Sequence, residues 1–60
     1  MYAVRIVFES MGVDHFSDYY VDTDKPLVAR VEALQQVKDQ VYDAKFLKVI
    51  SCKELENEPE

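Results

Sequence analysis

Hydrophobic and polar positions along the chain fall into three two-residue rhythms and one helical rhythm. From Tyr2 to Ser10, Tyr2, Val4, Ile6 and Phe8 alternate with Ala3, Arg5, Val7 and Glu9. A period of two is the mark of a β-strand. The first set is fully apolar and the second keeps Val7 as its one large apolar member, so the strand suits a central place better than an edge. Ser10 to His15 reads as a turn around Gly12, the only glycine of the chain and the residue best able to take positive φ. Phe16 to Thr23 reads as a second strand. Phe16, Asp18, Tyr20 and Asp22 share one face, and Ser17, Tyr19, Val21 and Thr23 share the other.

The rhythm then changes. Asp24-Lys25-Pro26 is a helix start: Thr23 or Asp24 is placed to cap free backbone N–H groups, and a proline fits the first turn, where no donor is needed. Leu27, Val31, Leu34, Val37 or Lys38, and Val41 recur at three- and four-residue steps, with Val28, Ala33 and Tyr42 widening the stripe, which predicts a helix from about Pro26 to about Tyr42 with that stripe toward the core. Ala44 to Cys52 reads as a third strand. Leu47, Val49 and Ser51 oppose Phe46, Lys48, Ile50 and Cys52, and Leu47 and Val49 are taken as inward because the alternative points Lys48 at the helix.

A hairpin followed by a helical crossover has one natural closure. The expected fold is α+β, a single β-β-α-β unit whose three-stranded antiparallel sheet has order 2-1-3 and carries one helix on one face. Residues 1–53 form the expected domain, and 54–60 an acidic, frayed tail. One helix cannot cover both faces of a sheet. The open face should hold Ala3, Arg5, Val7 and Glu9, flanked by Phe16, Asp18, Tyr20 and Asp22 and by Phe46, Lys48, Ile50 and Cys52. A contiguous apolar patch of that kind marks an interface.

Composition narrows the classes. The 60 residues are 48% hydrophobic, too rich for a disordered chain, and no run reaches the roughly 20 apolar residues that span a bilayer. MYAVRIVFES lacks the features of a signal peptide, and a cytoplasmic location is expected. The formal net charge of −5 disfavours nucleic acid as the main partner. That charge is uneven. Residues 1–24 hold one base against five acids, 25–53 hold six bases against three acids, and 54–60 add four glutamates. Residues 1–53 are therefore near neutrality, with an acidic hairpin and a basic second half.

Candidate chemistry is thin. His15 is the single histidine, beside Asp14, and reads as a loop residue, since three-ligand zinc geometry would need further ligands from elsewhere. Cys52 is the single cysteine; it can form no internal disulfide, and a nucleophilic role needs a base or cation beside it. One glycine cannot build a phosphate loop. No catalytic residue, metal ligand or cofactor is expected. Tyrosines among aspartates fit a protein-binding patch better than a base-stacking one.

The layout of strand MYAVRIVFES, hairpin to YYVDTD, helix PLVARVEALQQV and strand AKFLKVIS resembles small accessory proteins of bacteriophages and mobile elements. That resemblance, one of architecture over nearly the whole chain, implies a small inhibitor acting on a host enzyme or defence complex in the host cytoplasm. The residues themselves point to a non-enzymatic binding protein that occupies a surface of a larger protein through Phe16, Asp18, Tyr20 and Asp22, with Val7 and Ile50 beneath them. Aromatics would supply buried area and aspartates would meet Lys or Arg of the partner. A homodimer pairing through the same face is the second reading, and an acidic mimic of nucleic acid the third.

Overall fold

The computed structural model describes residues 1–55. Four elements follow one another: β1 (Tyr2–Ser10), β2 (Val13–Val21), α1 (Pro26–Gln40) and β3 (Lys45–Glu54). The strands form one antiparallel sheet in the order β2-β1-β3, the α+β arrangement expected from the hydrophobic rhythm. Tyr2, Val4, Ile6 and Phe8 of the central strand are buried beneath the helix with Val21, Ala29, Ala33 and Val37. Each large apolar side chain fully removed from water contributes about 1.5–3 kcal/mol.

The hairpin turn is tighter than the sequence suggested. Only Met11 and Gly12 lie between the strands, at φ 54° and 77°. Two left-handed residues in a two-residue loop make a type I′ turn, whose twist matches that of the flanking strands. Strand β2 therefore begins at Val13, and His15 lies within it. The imidazole stacks on Phe8, its cross-strand partner, with ring centroids 5.5 Å apart.

The helix begins at Pro26 as expected, but neither Thr23 nor Asp24 caps it. Lys25 occupies the N-cap position in an extended conformation, without a side-chain cap bond. A proline at the first helical position imposes that conformation on the residue before it. The Thr23 hydroxyl oxygen instead accepts the Lys25 N–H at 3.2 Å. The helix stops at Gln40 because Val41 is extended, its N–H bonded to the Val37 carbonyl at 2.8 Å.

The inward face of α1 matches the expected stripe only in part. Ala29, Ala33 and Val37 are fully shielded, while Leu27 is 73% exposed and Val31 65% exposed. Leu34 and Val41 pack at the margin of the core. Two alanines four residues apart let the helix backbone approach the sheet closely, and the larger Leu27 and Val31 are rotated away from it.

Strand β3 departs from simple alternation twice. Arg5 pairs with Ser51 and Ile6 with Val49, so Ile50 is an extra residue between them; Val7 pairs with Lys48 and Glu9 with Lys45, so Phe46 and Leu47 together oppose Phe8. Phe46 takes φ 56° at the second irregularity. A bulge places an extra residue on one strand and so exchanges the two faces beyond it. Leu47 and Val49 face the helix, as expected. Beyond Ile50 the faces swap, so Cys52 turns toward the helix and Ser51 away from it. The strand also runs to Glu54, which pairs with Tyr2, and the Leu55 N–H bonds the Met1 carbonyl at 2.8 Å. The first residues of the expected tail are thus structured, and 56–60 lie outside the described residues.

Candidate functional site

The sheet face turned away from α1 is organised in rows, because directly paired residues of neighbouring strands share a face. From the open end of the hairpin toward its turn, the rows are Tyr20-Ala3-Lys53, Asp18-Arg5-Ser51, Phe16-Val7-Lys48 and Asp14-Glu9-Lys45. Strand β2 supplies a column of acids and aromatics. Strand β3 supplies a column of lysines with one serine. The central strand lies between them.

Arg5 and Asp18 are the best-defined contact of the face. The Arg5 Nε donates to Asp18 Oδ1 at 2.7 Å and Nη2 donates to Oδ2 at 3.1 Å, a bidentate pair of fixed geometry. Hydrogen bonding from Arg5 holds the Asp18 carboxyl below the usual carboxylate range, and the same contact raises the guanidinium pKa. Both side chains remain about half exposed. Asp18 is thus already paired within the chain and presents a partner with a neutralised group.

Two features frame this pair. On one side, Phe16 is 67% exposed beside Val7 and Lys48. On the other, the small side chain of Ala3 leaves a depression of about 360 Å³, lined by Ala3, Arg5, Asp18, Tyr20, Ser51 and Lys53. Tyr20 forms one wall with 62% of its surface exposed. The face thus offers an aromatic ridge, a bidentate ion pair and a shallow socket within three rows.

Of the six residues expected at the site, Val7, Phe16, Asp18 and Tyr20 share this face. Ile50 is exposed at the bulge on the β3 edge, and Asp22 is exposed just beyond the end of β2. Phe46 and Cys52, expected on the open face, are placed differently by the bulges: Phe46 stands exposed at the irregularity near the start of β3, and Cys52 is half-buried with its thiol 4.0 Å from the Pro26 carbonyl oxygen. Sequence reasoning missed Asp14, Lys45, Ser51 and Lys53 as face residues. It also missed the Arg5–Asp18 pair, which a two-residue turn at Met11-Gly12 fixes by register alone.

Among the described residues, no three His, Cys, Asp or Glu side chains converge to hold a metal ion. No helix among them is long and apolar enough to cross a membrane. No protein-family model matches this chain, and neither the curated proteins nor the solved structures include a match to it.

Proposed function

We propose that this chain is a non-enzymatic docking protein whose open sheet face seats on a larger protein. The observation that carries the reading is the pair of aromatic rings, Phe16 and Tyr20, held largely in solvent on the same face of a rigid sheet. Tyrosine is enriched at energetic centres of protein interfaces, and aromatic anchors set in a polar surround are the usual source of binding energy. The columns on either side define the chemistry of the partner. Its surface would carry basic groups opposite Asp14 and acidic groups opposite Lys48 and Lys53, with an apolar side chain seated over Ala3 or against Phe16. Asp22 and Ile50 would contribute at the margins.

The resemblance to small accessory proteins of phages and mobile elements adds a use for such docking, the blocking of a host enzyme or defence complex. Self-pairing through the same face is the second reading, supported by the opposite charges of its two edge columns. Mimicry of nucleic acid has less support, because the lysine column offsets the aspartate column.

The test is comparative capture. The wild-type chain, Phe16→Ser/Ile50→Ser and the control Leu27→Ser on the helix are cross-linked in lysate at equal concentration. A partner retained by wild type and Leu27→Ser, and reduced at least tenfold with the double variant, supports the reading. A partner set that is identical for all three proteins defeats it.

A further inference from the structure

The open face is complementary to itself in one orientation. Strand β2 presents Asp14, Phe16, Asp18 and Tyr20, whereas β3 presents Lys45, Lys48, Ser51 and Lys53. A second copy laid face to face can be related to the first by a two-fold axis parallel to the strands or by one perpendicular to them. The parallel axis carries β2 over β3 of the other copy, and the perpendicular axis carries β2 over β2 and β3 over β3.

The geometry points to a homodimer built on the strand-parallel two-fold axis, with the β2 column of each copy covering the β3 column of the other. The proposal builds on the reading of this face as an interface and names its occupant as a second copy of the chain.

The rows then match one by one. Asp14 meets Lys45 of the second copy and Phe16 meets Lys48, whose stem is apolar and whose ammonium favours an aromatic face. Asp18 meets Ser51, and Tyr20 meets Lys53. Val7 meets Val7 and Ala3 meets Ala3 on the axis. Arg5 also meets its own copy, but each guanidinium brings its bidentate Asp18 with it. Glu9 meets Glu9 with Lys45 paired beside it. The perpendicular axis reverses the rows and sets Lys45 against Lys53 of the second copy, Lys48 against Ser51, and Asp14 and Asp18 against Tyr20 and Phe16, so that no acid meets a base. Like charges juxtaposed at an interface cost several kcal/mol, so charge selects the first axis.

Dimensions agree with this packing. Four rows two residues apart on three strands make a face about 26 Å by 14 Å. Facing sheets pack about 10 Å apart with strands crossing near 30°, a gap that lysine and aromatic side chains span. Two such faces together present about 730 Å² of planar area, below standard specific interfaces and in the range of weak, transient ones, so association is expected at high micromolar concentration or above rather than as an obligate dimer. A chain paired in this way covers its own docking face, and self-pairing excludes a larger partner.

The experiment is a charge exchange between two variants, Asp14→Lys and Lys45→Asp, read by sedimentation equilibrium of the full chain in low salt. Both sites are exposed. Each variant alone sets like charges against each other at both symmetric contacts and is expected to weaken association at least tenfold. An equimolar mixture restores opposite charge at both contacts and is expected to recover dimer to within about threefold of wild type. Wild type that stays monomeric at millimolar concentration overturns the proposal, as does a mixture that associates no better than its components.

A measurement on the wild-type chain guards against a variant that misfolds. Amide shifts of Ala3, Arg5 and Val7 should move with concentration while those of Leu27 and Val31 stay fixed. The opposite pattern overturns the proposal. The docking reading is judged separately, since a wild-type chain that never self-associates can still lose a captured partner on Phe16→Ser/Ile50→Ser.

Discussion

Ala33 is where a helix packed by its small residues and one packed by its largest apolar residues, Leu27 and Val31, give opposite results. It is fully shielded on the face of α1 that meets the sheet, whereas Val31, two residues away, is mostly in solvent. Ala33→Leu adds three heavy atoms where no space is open. Overpacking a core typically costs 1–3 kcal/mol, and the change in helix propensity from Ala to Leu is small beside that. A 60-residue domain has a stability of roughly 3–9 kcal/mol, so the loss is a large share of the total. With an unfolding entropy of about 2.1 cal/mol/K per residue, each kcal/mol shifts Tm by about 8 °C. Ala33→Leu should therefore lower Tm by roughly 8–24 °C. Val31→Ser, at an exposed helix site, should stay within about 0.5 kcal/mol of wild type. Thermal circular dichroism and urea titration of both variants supply the test. If Val31→Ser is strongly destabilising and Ala33→Leu neutral, then the Leu27-Val31 stripe faces the sheet and the Ala29-Ala33 face does not.

Four further outcomes follow from local geometry. Met11 sits at φ 54° in the first position of the type I′ turn, where asparagine is favoured, so Met11→Asn should raise stability by about 0.5 kcal/mol in urea unfolding. Gly12→Ala meets no neighbour within 4 Å but keeps a φ of 77°, so it should cost about 1 kcal/mol through backbone strain alone. Burial first, and then Glu54, Cys52 and Asp24, raise the Tyr2 pKa above its ordinary value. A raised folded pKa stabilises below the unfolded pKa and is lost as pH rises through the folded one. The Tm of wild type should therefore fall faster above pH 10 than that of Tyr2→Phe. At the acid end the sign reverses for Asp18, whose pKa is lowered by Arg5. Its contribution is present above the unfolded carboxylate pKa and fades as pH falls through the folded value, so Asp18→Asn should flatten the acid limb of a Tm-against-pH curve.

The sheet was legible because Tyr2, Val4, Ile6 and Phe8 alternate without interruption, and a strand apolar on one face and half apolar on the other is best placed between two others. The hairpin register was not legible. Met11 is an unusual residue for a left-handed position, and the sequence signal of a tight turn rests on Gly12 alone, so the residues suggest a turn of six rather than two. The helix face was hidden for a different reason. Hydrophobic spacing puts Leu27 and Val31 at the centre of the stripe, Ala33 at its margin and Ala29 outside it, but a helix resting on a three-stranded sheet is positioned by how closely backbones can approach. Small residues win that contest, and Leu27 and Val31 are left in solvent.

The face itself is a product of the bulges in β3. Under strict alternation the open side of that strand would hold Phe46, Lys48, Ile50 and Cys52, an apolar surface with one charge. Each extra residue in β3 shifts the alternation by one. One irregularity places Lys45 opposite Glu9, and the other, at Ile50, places Ser51 and Lys53 opposite Arg5 and Ala3. Three lysines thereby stand where one stood, and Cys52 moves to the shelter of the helix. The same irregularities break up one exposed edge of the sheet, a recognised protection against unspecific strand pairing. Edge protection and the opposed charges of the two columns therefore have one structural origin, two extra residues in a ten-residue strand. What would otherwise be an adhesive apolar sheet becomes a surface with an acidic side, a basic side and two aromatic rings, which selects among partners by orientation as well as by area.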